Sequence, residues 1–342
     1  MEVATVGIDL GKNVFHIIGL DAGGKISLKR RVTRSQLMVL MGNLSRSLIG
    51  MEACPGSHYL ARRPEAFGHE VRLIPPQYVR PYVKTNKNDF RDAEAIAEAV
   101  GRGTMRFVRT KTVAQLDLQA LHRVRDRLVA HRTAIVNQIR AFLLEQGIPL
   151  RPGRLALRSE LCRLLSSEEA PMSPRLRRLV ESLRLEWARL EEQIDSVTQE
   201  IESLAAEDPA CRRLMGVPGI GVIAASAIVA SIGNGSAFSK GRDFAAWLGL
   251  VPRQASTGDR PRLLGVSKRG NSYLRRLVVL GAHSIMRNRI RDRHRFGPWL
   301  DRLEGRAHRN VAVVALANKL ARIAWVVLAR ETPYRPRFDR AA

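Results

Sequence analysis

Short apolar runs separated by turn residues dominate the first hundred positions of the chain, and each run has the length of a buried strand. The runs cover 3–8, 14–20, 25–32, 48–52 and 69–75. The second and third runs flank the turn Asp21-Ala22-Gly23-Gly24, which favours a hairpin. Helical patterns follow over 34–46 and from Asn88 onward. Three strands followed by helix, strand, helix, strand and helix predict a mixed α/β sheet.

Beyond residue 108 the apolar spacing becomes helical over long stretches. Apolar side chains recur at helical spacing between charges from about 113 to 145 and again from 173 to 205. This spacing predicts two long helices that pair as an antiparallel coiled-coil arm. The poorly patterned region between them, 148–174, would form the tip of the arm.

After residue 208 the chain becomes glycine-punctuated, then basic, then helical again. The segments are an apolar stretch (215–233), a short amphipathic helix (238–250), a basic turn-rich stretch (251–276) and two helices (near 271–290 and 310–330). We therefore expect four regions. They are an α/β domain over 1–108, a helical linker arm over 109–208, a mainly helical C-terminal domain over 209–332 and a frayed tail over 333–342.

The charge balance indicates a nucleic-acid partner. The 342 residues include 57 Lys and Arg against 32 Asp and Glu, a formal net charge of +25. Only nine of the 57 are Lys, so 48 are Arg, whose planar guanidinium binds phosphate oxygens bidentately. Codon bias would explain the ratio of Arg to Lys but not the excess of positive charge. Association with an anionic membrane or a ribosome-like particle is the alternative.

The cysteines and the apolar segments favour a protein of a reducing cytoplasm. The three cysteines, Cys54, Cys162 and Cys211, have no CxxC spacing, which predicts neither a disulfide framework nor a zinc site. No basic stretch precedes the first apolar run, so a signal peptide is not expected. The late apolar segment 311–329 contains Lys319 and Arg322, which is typical of a buried amphipathic helix and not of a membrane span.

Four carboxylates are candidate metal ligands. Asp9 and Glu52 directly follow apolar runs, and a charge at the end of a buried strand is costly unless it is paired or binds metal. Asp89 and Asp92 are three residues apart and lie on one face of the predicted helix. Oxygen ligands without His or Cys suit Mg²⁺, with Mn²⁺ as a substitute. Two such ions activate the attacking oxygen and stabilise the leaving oxygen in phosphodiester chemistry.

Each carboxylate also has a structural alternative. Asp9 could simply end a strand. Asn88 or Asp89 could cap the helix, and Asp92 could complement the helix dipole. GIDLG (7–11) is also similar to the D-x-G phosphate turn of sugar kinases, actin and heat-shock ATPases. The later half of the sequence contains no second D-x-G after a strand, and a net charge of +25 is unusual for a kinase.

Two segments of the C-terminal region offer contacts to nucleic acid. Val217-Pro218-Gly219-Ile220-Gly221 resembles a helix–hairpin–helix turn, in which Gly219 and Gly221 would let the backbone approach a phosphate. A tight helix–helix turn within a core is the alternative. Further along, Ser256 and Ser267 each lie in a basic stretch. The basic residues expected to contact nucleic acid are Arg253, Arg260, Arg262, Lys268, Arg269 and Arg275.

Ser256 has two interpretations. A serine in a Gly-containing turn usually bonds its hydroxyl to the nearby backbone. As a functional residue, Ser256 would attack phosphorus while the neighbouring Arg side chains compensate the developing charge. Composition alone does not decide between them.

The order of the motifs resembles one known family. GIDLGKNVFH (7–16), GMEACPGSHYLAR (50–62) and VRPYVKTNKNDFRDAEAIAEA (79–99) resemble the RuvC-like DEDD domain of a transposase family of bacterial insertion sequences. LMGVPGIGVIAASAI, FAAWLGLVPRQASTG and LLGVSKRGNSYLRRLVVLGAHS resemble that family's C-terminal transposase domain. The family is insertion sequence one hundred and ten, the bridge-RNA-guided serine recombinases, and the resemblance spans nearly the whole chain.

The resemblance implies a fold and a set of partners. We expect a ribonuclease H-like (RuvC-like) mixed sheet, a helical coiled-coil linker and a helical C-terminal domain with a helix–hairpin–helix-like segment. A structured guide RNA, the bridge RNA, would pair with donor and target DNA. The protein would act as a tetramer, a dimer of dimers, in the bacterial cytoplasm in association with the nucleoid.

The resemblance also implies a mechanism. The DEDD carboxylates with Mg²⁺ would act with a serine of another subunit, which corresponds to Ser256, with Ser267 as the second candidate. That serine would form a covalent phosphoserine with DNA, and strands would exchange through a Holliday-junction-like intermediate. Members of the family often have two glycines and a lysine shortly after this serine. Here Gly258-Asp259-Arg260 places an acid near the serine.

Two other functions fit the same residues. A RuvC-type junction endonuclease would use metal alone, cut DNA by hydrolysis and leave no covalent protein–DNA adduct. A non-catalytic nucleic-acid-binding protein would bind DNA or RNA whatever the residue at Asp9, and would show no Mg²⁺-dependent cleavage.

Overall fold

A computed structural model describes residues 3–84, 88–167, 171–258, 260–287 and 296–335. The chain forms two compact units, Met1–Val113 and Ala114–Ala342. This division lies near the first expected domain boundary, whereas the boundary expected at 208/209 stays a prediction. Most of the tail expected to be frayed, 336–342, lies outside the described residues.

The first unit is built on the mixed sheet that the sequence predicts. Its strands are β1 (Thr5–Leu10), β2 (Val14–Leu20), β3 (Ile26–Thr33), β4 (Leu48–Glu52) and β5 (Glu70–Ile74). They lie in the order β3-β2-β1-β4-β5. β1, β2 and β3 are antiparallel, and β4 and β5 run parallel to β1. The mixed sheet is confirmed, and its order is consistent with a ribonuclease H-like fold.

Helices cover both faces of this sheet. They are α1 (Arg34–Asn43), α2 (Ser57–Ala66), α3 (Pro76–Val79, continued by a 3₁₀ turn over Arg80–Tyr82) and α4 (Asp89–Val100). On one face, apolar side chains of β1, β2 and β4 pack with those of α1 and α2, such as Leu37, Met41 and Leu60. On the other face, α4 contributes Ala93 and Ala97, which are buried with the β2 side chains.

The second unit begins with two long helices that pack against each other. They are α5 (Val113–Leu144) and α7 (Pro174–Glu207), close to the ranges expected from the apolar spacing. Their shared core includes Ile139, Trp187 and Ile194. The tip contains α6 (Arg154–Ser166), whose Leu157 joins the same core. The sequence did not predict this helix because its leucines alternate with charged residues without a clear stripe.

The remaining helices of the second unit share one apolar core, and an exposed two-stranded hairpin lies outside it. These elements are α8 (Pro209–Met215), α9 (Val222–Ile232), α10 (Gly241–Trp247), β6 (Pro252–Gln254), β7 (Leu263–Val266), α11 (Ser272–Arg287), α12 (Gly297–Glu304) and α13 (Arg309–Ala329). The basic stretch 251–276 was expected to form turns, but part of it forms an antiparallel hairpin of β6 and β7. α12 was not expected from the sequence.

One helix among the described residues, α13, is long and apolar enough to cross a membrane by length and composition. Half of its most apolar window is buried inside the protein. Leu316, Leu320 and Ala324 are fully buried in the core of the second unit. This packing is that of the buried helix expected from Lys319 and Arg322.

Candidate functional site

The ends of β1 and β4 place Asp9 and Glu52 at one edge of the sheet. The two strands are parallel neighbours, so their carboxyl ends lie side by side. Side chains alternate between the two faces of a strand, so Asp9 shares a face with Gly7, and Glu52 shares a face with Gly50. That face is the one covered by α4, and both carboxylates are partly buried.

The first turn of α4 carries the other two carboxylates. Asn88 caps the helix, since its Oδ1 accepts a hydrogen bond from the backbone N–H of Phe90 at 2.9 Å. Asp89 and Asp92 follow in the first turn, where the positive end of the helix dipole favours negative charge. Because Asn88 does the capping, both Asp side chains remain available for other contacts.

Two glycines bring α4 close to the sheet. A Cβ atom at Gly7 would lie 2.1 Å from the carbonyl oxygen of Ala93, and one at Gly50 would lie 2.8 Å from the Cβ of Val100. Both distances are too short for a real side chain. The absence of a Cβ therefore sets the depth of the helix, and with it the position of the first-turn carboxylates. The only trace of this role in the sequence is that both glycines lie two residues before a carboxylate.

The pKa of Asp9 shows that the four carboxylates interact. This pKa is raised from 3.8 to about 6, and burial is the largest cause. The neighbouring negative charges that add to the rise belong to Asp92, Asp89 and Glu52. A carboxylate gathered with three others in a partly buried place would gain from a divalent cation, which replaces mutual repulsion by attraction.

His16 lies in the same place and was not identified from the sequence. It pairs with Asp9 in the register of β1 and β2. Ligand atoms of Asp9, His16 and Asp89 all lie within 4.8 Å of one another. This spacing fits a single cation between them. His16 could have been found only from the register of the two strands, which places it opposite Asp9 of the neighbouring strand.

Cys54 lies near the carboxylates and remains a neutral thiol. Burial raises its pKa above the ordinary value, and the charges of Glu52 and Asp9 raise it further. A thiolate is the form that binds metal, so Cys54 is a poor ligand here. Among these groups the carboxylate oxygens are therefore the better candidate ligands, which are also the ones expected from the sequence.

The glycine-punctuated segment of the second unit forms a tight turn between α8 and α9. The N–H of Ile220 donates to the carbonyl of Val217 at 3.0 Å, and Gly219 has φ +77°. A Cβ at Gly219 would lie 2.7 Å from the carbonyl oxygen of Gly281 on α11. Gly219 thus permits close packing inside the unit. Gly221, at the start of α9, is exposed.

Ser256 lies in the exposed connection between β6 and β7. Its Oγ accepts hydrogen bonds from Gln254 Nε2 at 2.8 Å and from the backbone N–H of Arg262 at 3.3 Å. Both contacts use the oxygen as acceptor, so the hydroxyl hydrogen is directed to neither. The side chain combines the local turn contact expected of such a serine with exposure to solvent. Asp259, the acid that departs from the family pattern, lies outside the described residues.

The second candidate serine is more enclosed. Ser267 is partly buried, and its backbone N–H donates to the carbonyl of Val251 at 2.8 Å. Lys268 follows with φ +54°, an unusual backbone for a residue other than glycine. Gly249 permits this arrangement, because a Cβ there would lie 2.2 Å from the carbonyl oxygen of Arg269.

The basic residues expected to contact nucleic acid differ in exposure. Those that are exposed are Arg253, Arg260, Arg262, Lys268 and Arg269. Arg275 is partly buried, and its Nη1 donates to the carbonyls of Leu248 at 2.9 Å and Arg269 at 3.1 Å. Arg275 therefore holds the turn that precedes α11. Its expected contact with nucleic acid stays a prediction.

Two family models match the chain. One, described as the transposase IS116/IS110/IS902 family, matches residues 211–296. The other, a DEDD transposase model described as transposase, matches residues 6–148. The second range contains the four carboxylates, and the first contains both candidate serines.

Curated relatives match over nearly the full length. A probable family 20 transposase of Pseudomonas aeruginosa is 45% identical over 98% of this chain and 100% of its own. The transposase for insertion sequence element IS1328 of Yersinia enterocolitica is 44% identical over 97% and 99%. The transposase for insertion sequence element IS1111A of Coxiella burnetii is 41% identical over 98% and 92%.

Proposed function

Because the chain belongs to the IS116/IS110/IS902 transposase family, and so is a DNA transposase of an insertion sequence, we propose that it cleaves and exchanges DNA strands with two sets of residues. One set is the carboxylate quartet Asp9, Glu52, Asp89 and Asp92. The other is Ser256, which would act as the nucleophile. The DEDD family is typically dependent on a divalent metal, and the residues present fit one.

The single observation that carries this proposal is that Glu52 at the end of β4 and Asp89 and Asp92 in the first turn of α4 all lie close enough to Asp9 for their charges to act on it. Burial raises the pKa of Asp9, and the charges of Asp92, Asp89 and Glu52 raise it further, so a bound cation would relieve their mutual repulsion. A divalent cation held there, Mg²⁺ in our proposal, would supply Lewis-acid activation of the attacking and leaving oxygens. The carboxylates themselves would hold and orient the cation. Their positions are set by strand ends and a helix start, so the site is built on rigid elements.

Ser256 would replace a phosphodiester bond by a covalent bond to phosphorus, so that the phosphodiester can be restored later. Its Oγ would form a bond to phosphorus while the bond from phosphorus to a deoxyribose oxygen breaks. The proton of the Oγ would leave to a base, and the released oxygen would take up a proton. In the reverse step, a hydroxyl of another strand attacks the phosphoserine and frees Ser256. The exposed guanidinium groups of Arg253 and Arg262 would compensate the charge on phosphorus.

The proposed partners follow from the family resemblance and from charge. Donor and target DNA would bind along the basic surfaces, and a structured guide RNA would select both sequences. A dimer of dimers would bring serines and carboxylates of different subunits together, with a Holliday-junction-like intermediate between them. The net charge of +25 suits two polyanionic partners at once.

The test uses purified full-length protein with the RNA and the element ends. We expect Glu52→Gln and Ser256→Ala each to abolish strand exchange, while Ser236→Ala, a change at another exposed serine, leaves it intact. A denaturing gel should show a protein–DNA adduct with the unaltered protein and none with Ser256→Ala. Strand exchange by Ser256→Ala would overturn the serine assignment. Loss of exchange in Ser267→Ala with retention in Ser256→Ala would transfer the role to Ser267.

A metal-only junction endonuclease is the second candidate function. It is favoured by one observation: the Ser256 Oγ already accepts two hydrogen bonds, as a purely structural turn serine would. It predicts nicked products, no adduct and full cleavage by Ser256→Ala. A binding protein without catalysis would instead retain DNA affinity in Asp9→Asn and show no cleavage with Mg²⁺.

A further inference from the structure

His16 occupies a place in the carboxylate site that none of the four acidic residues fills. Its Nδ1 lies 3.5 Å from Asp89 Oδ2. Because His16 and Asp9 are cross-strand partners, the imidazole also stands next to Asp9. The side chain is only 14% exposed, whereas that of Asp89 is 59% exposed. The imidazole therefore lies on the inner side of the group, and Asp89 lies on the solvent side.

The packing of the ring fixes its direction. His16 meets Phe90 edge-to-face, with the ring centroids 4.7 Å apart. Phe90 is held in turn by Lys29, whose Nζ lies 4.7 Å from the Phe90 centroid. The strand below the histidine and the aromatic ring beside it together limit its rotation. A ring held in this way is preorganised, so binding a ligand or ion costs little side-chain entropy.

We propose that His16 supplies a nitrogen ligand, through Nδ1, to the divalent cation held by Asp9 and Asp89, and that this ligand makes the site prefer Mn²⁺ to Mg²⁺. The inference rests on the proposed function, since it assumes the metal site. It changes the ligand set from carboxylates alone to carboxylates with one imidazole.

The chemistry of the two ions gives the direction of the preference. Mg²⁺ favours oxygen ligands and near-ideal octahedral geometry, whereas first-row transition ions accept imidazole readily. A neutral nitrogen also adds a ligand without adding to the negative charge that already raises the pKa of Asp9. In the alternative role, His16 only donates a hydrogen bond from Nδ1 to Asp89 and so positions that carboxylate.

A spectroscopic experiment separates these roles. Full-length protein is loaded with Mn²⁺ and its electron spin echo modulation is recorded, first unlabelled and then with ¹⁵N-histidine. We expect a ¹⁴N coupling that changes to that of ¹⁵N on labelling, and that disappears in His16→Asn. The matched control is His131→Asn, because His131 is also paired with a carboxylate, Glu186 at 3.3 Å, on the long helices of the second unit. The control should keep the coupling.

Calorimetric titration with each ion alone gives the second readout. We expect His16→Leu to lower the affinity for Mn²⁺ by about tenfold while it changes the affinity for Mg²⁺ much less. His16→Asn, which offers an oxygen at a similar place, should bind Mg²⁺ at least as well as the unaltered protein. An equal loss for both ions in His16→Leu would contradict the preference.

The outcomes distinguish a failure of this inference from a failure of the proposed function on which it rests. One outcome is that Mn²⁺ binds, that Asp9→Asn removes this binding, and that no histidine coupling is seen. In that case His16 is not a ligand, but the carboxylate site of the proposed function is retained. If the unaltered protein binds neither ion, the metal site of the proposed function fails as well. If the coupling survives in His16→Asn, another histidine supplies it and the assignment of His16 is wrong.

Discussion

Gly7 on β1 lies directly against the carbonyl oxygen of Ala93 on α4, so close that a Cβ atom would stand 2.1 Å from that oxygen and 2.5 Å from the backbone nitrogen of Ala97. Both obstacles are backbone atoms, which cannot move aside as a flexible side chain can. The contact lies one helical turn beyond Asp89 and two strand residues before Asp9. The separation of these two carboxylates therefore depends on a residue that carries no chemistry.

We expect Gly7→Ala to push α4 away from the sheet. The overpacking should lower the free energy of unfolding of the first unit by about 1–3 kcal/mol. The affinity for Mn²⁺ should fall as well, because Asp89 and Asp92 move with the helix. Far-ultraviolet circular dichroism in urea and calorimetric titration measure the two effects.

Gly42→Ala is the matched control for this prediction. Gly42 lies within α1 of the same unit, and a Cβ there would meet nothing within 4 Å. Alanine favours a helix interior over glycine by about 0.5–1 kcal/mol, so this change should stabilise the unit and leave metal affinity unaltered. Equal metal affinity in Gly7→Ala and Gly42→Ala would show that the helix position does not control the site.

The raised pKa of Asp9 predicts a gain in stability on its neutralisation. The folded protein holds the proton until about pH 6, whereas the unfolded chain releases it near pH 4. The folded state therefore binds more protons in this window, and stability falls as pH rises through it. In EDTA at pH 7.5, Asp9→Asn should be more stable by about 1 kcal/mol, a value discounted because Asp9 is partly exposed to solvent.

Thermal denaturation at several pH values tests this prediction. The gain in Asp9→Asn should shrink as the pH approaches 4, where Asp9 of the unaltered protein is protonated as well. Added Mn²⁺ should raise the melting temperature of the unaltered protein but not that of Asp9→Asn. A variant less stable than the unaltered protein at pH 7.5 would mean that Asp9 is satisfied by its neighbours without metal.

The sequence identifies Asp9, Glu52, Asp89 and Asp92, whose charges act on one another in the structure, because a carboxylate after a buried strand is costly unless it is paired or binds metal. It predicts the sheet because the apolar runs are short and bounded by turns. It does not predict His16, whose role depends on a strand register that no local pattern records. Nor does it predict the hairpin of β6 and β7, because both strands are short and exposed and neither alternates between apolar and polar residues.

A second histidine, His122, is buried in a hydrogen-bond network of the second unit. His122 on α5 is 3% exposed. Ser226 donates to the carbonyl of Val222 at 2.7 Å, so its Oγ accepts from His122 Nε2, 3.1 Å away. The Nδ1 is then free to accept from the hydroxyl of Tyr273 at 3.0 Å. This network fixes a neutral imidazole with the proton on Nε2.

Burial, with a smaller contribution from the charge of Arg125, lowers the pKa of His122 to about 4. Between about pH 4 and 6.5 the unfolded chain binds the extra proton and the folded protein does not, so stability is lost as the pH falls. We expect His122→Gln to flatten this dependence. Urea unfolding at pH 4.5 and 7.5 measures it by tryptophan fluorescence, which reports the second unit because all four tryptophans lie there.

His58→Gln is the control for this measurement. The pKa of His58 is also lowered to about 4, by burial and by the charges of Lys111 and Arg62, but His58 belongs to the first unit. The tryptophan-detected slope should therefore be the same in His58→Gln as in the unaltered protein. A slope that His122→Gln leaves intact would place the acid sensitivity in another group.

Arg275 and Arg253 are both in the basic C-terminal stretch, but their surroundings predict opposite effects of substitution. Arg275 donates to two backbone carbonyls, so Arg275→Gln should lower the free energy of unfolding by about 1–3 kcal/mol. Arg253 is exposed on β6, so Arg253→Gln should leave stability unchanged.

DNA affinity over a range of salt concentrations tests the same pair. If Arg253 binds a phosphate, Arg253→Gln should reduce the slope of log affinity against log salt by about 0.9. Arg275→Gln should keep the slope, because its guanidinium is engaged with the turn before α11. The reverse result, a lower slope with unchanged stability in Arg275→Gln, would mean that this guanidinium leaves the carbonyls of Leu248 and Arg269 to bind DNA. The contact expected from sequence would then be correct, and the hydrogen bonds would describe only the free protein.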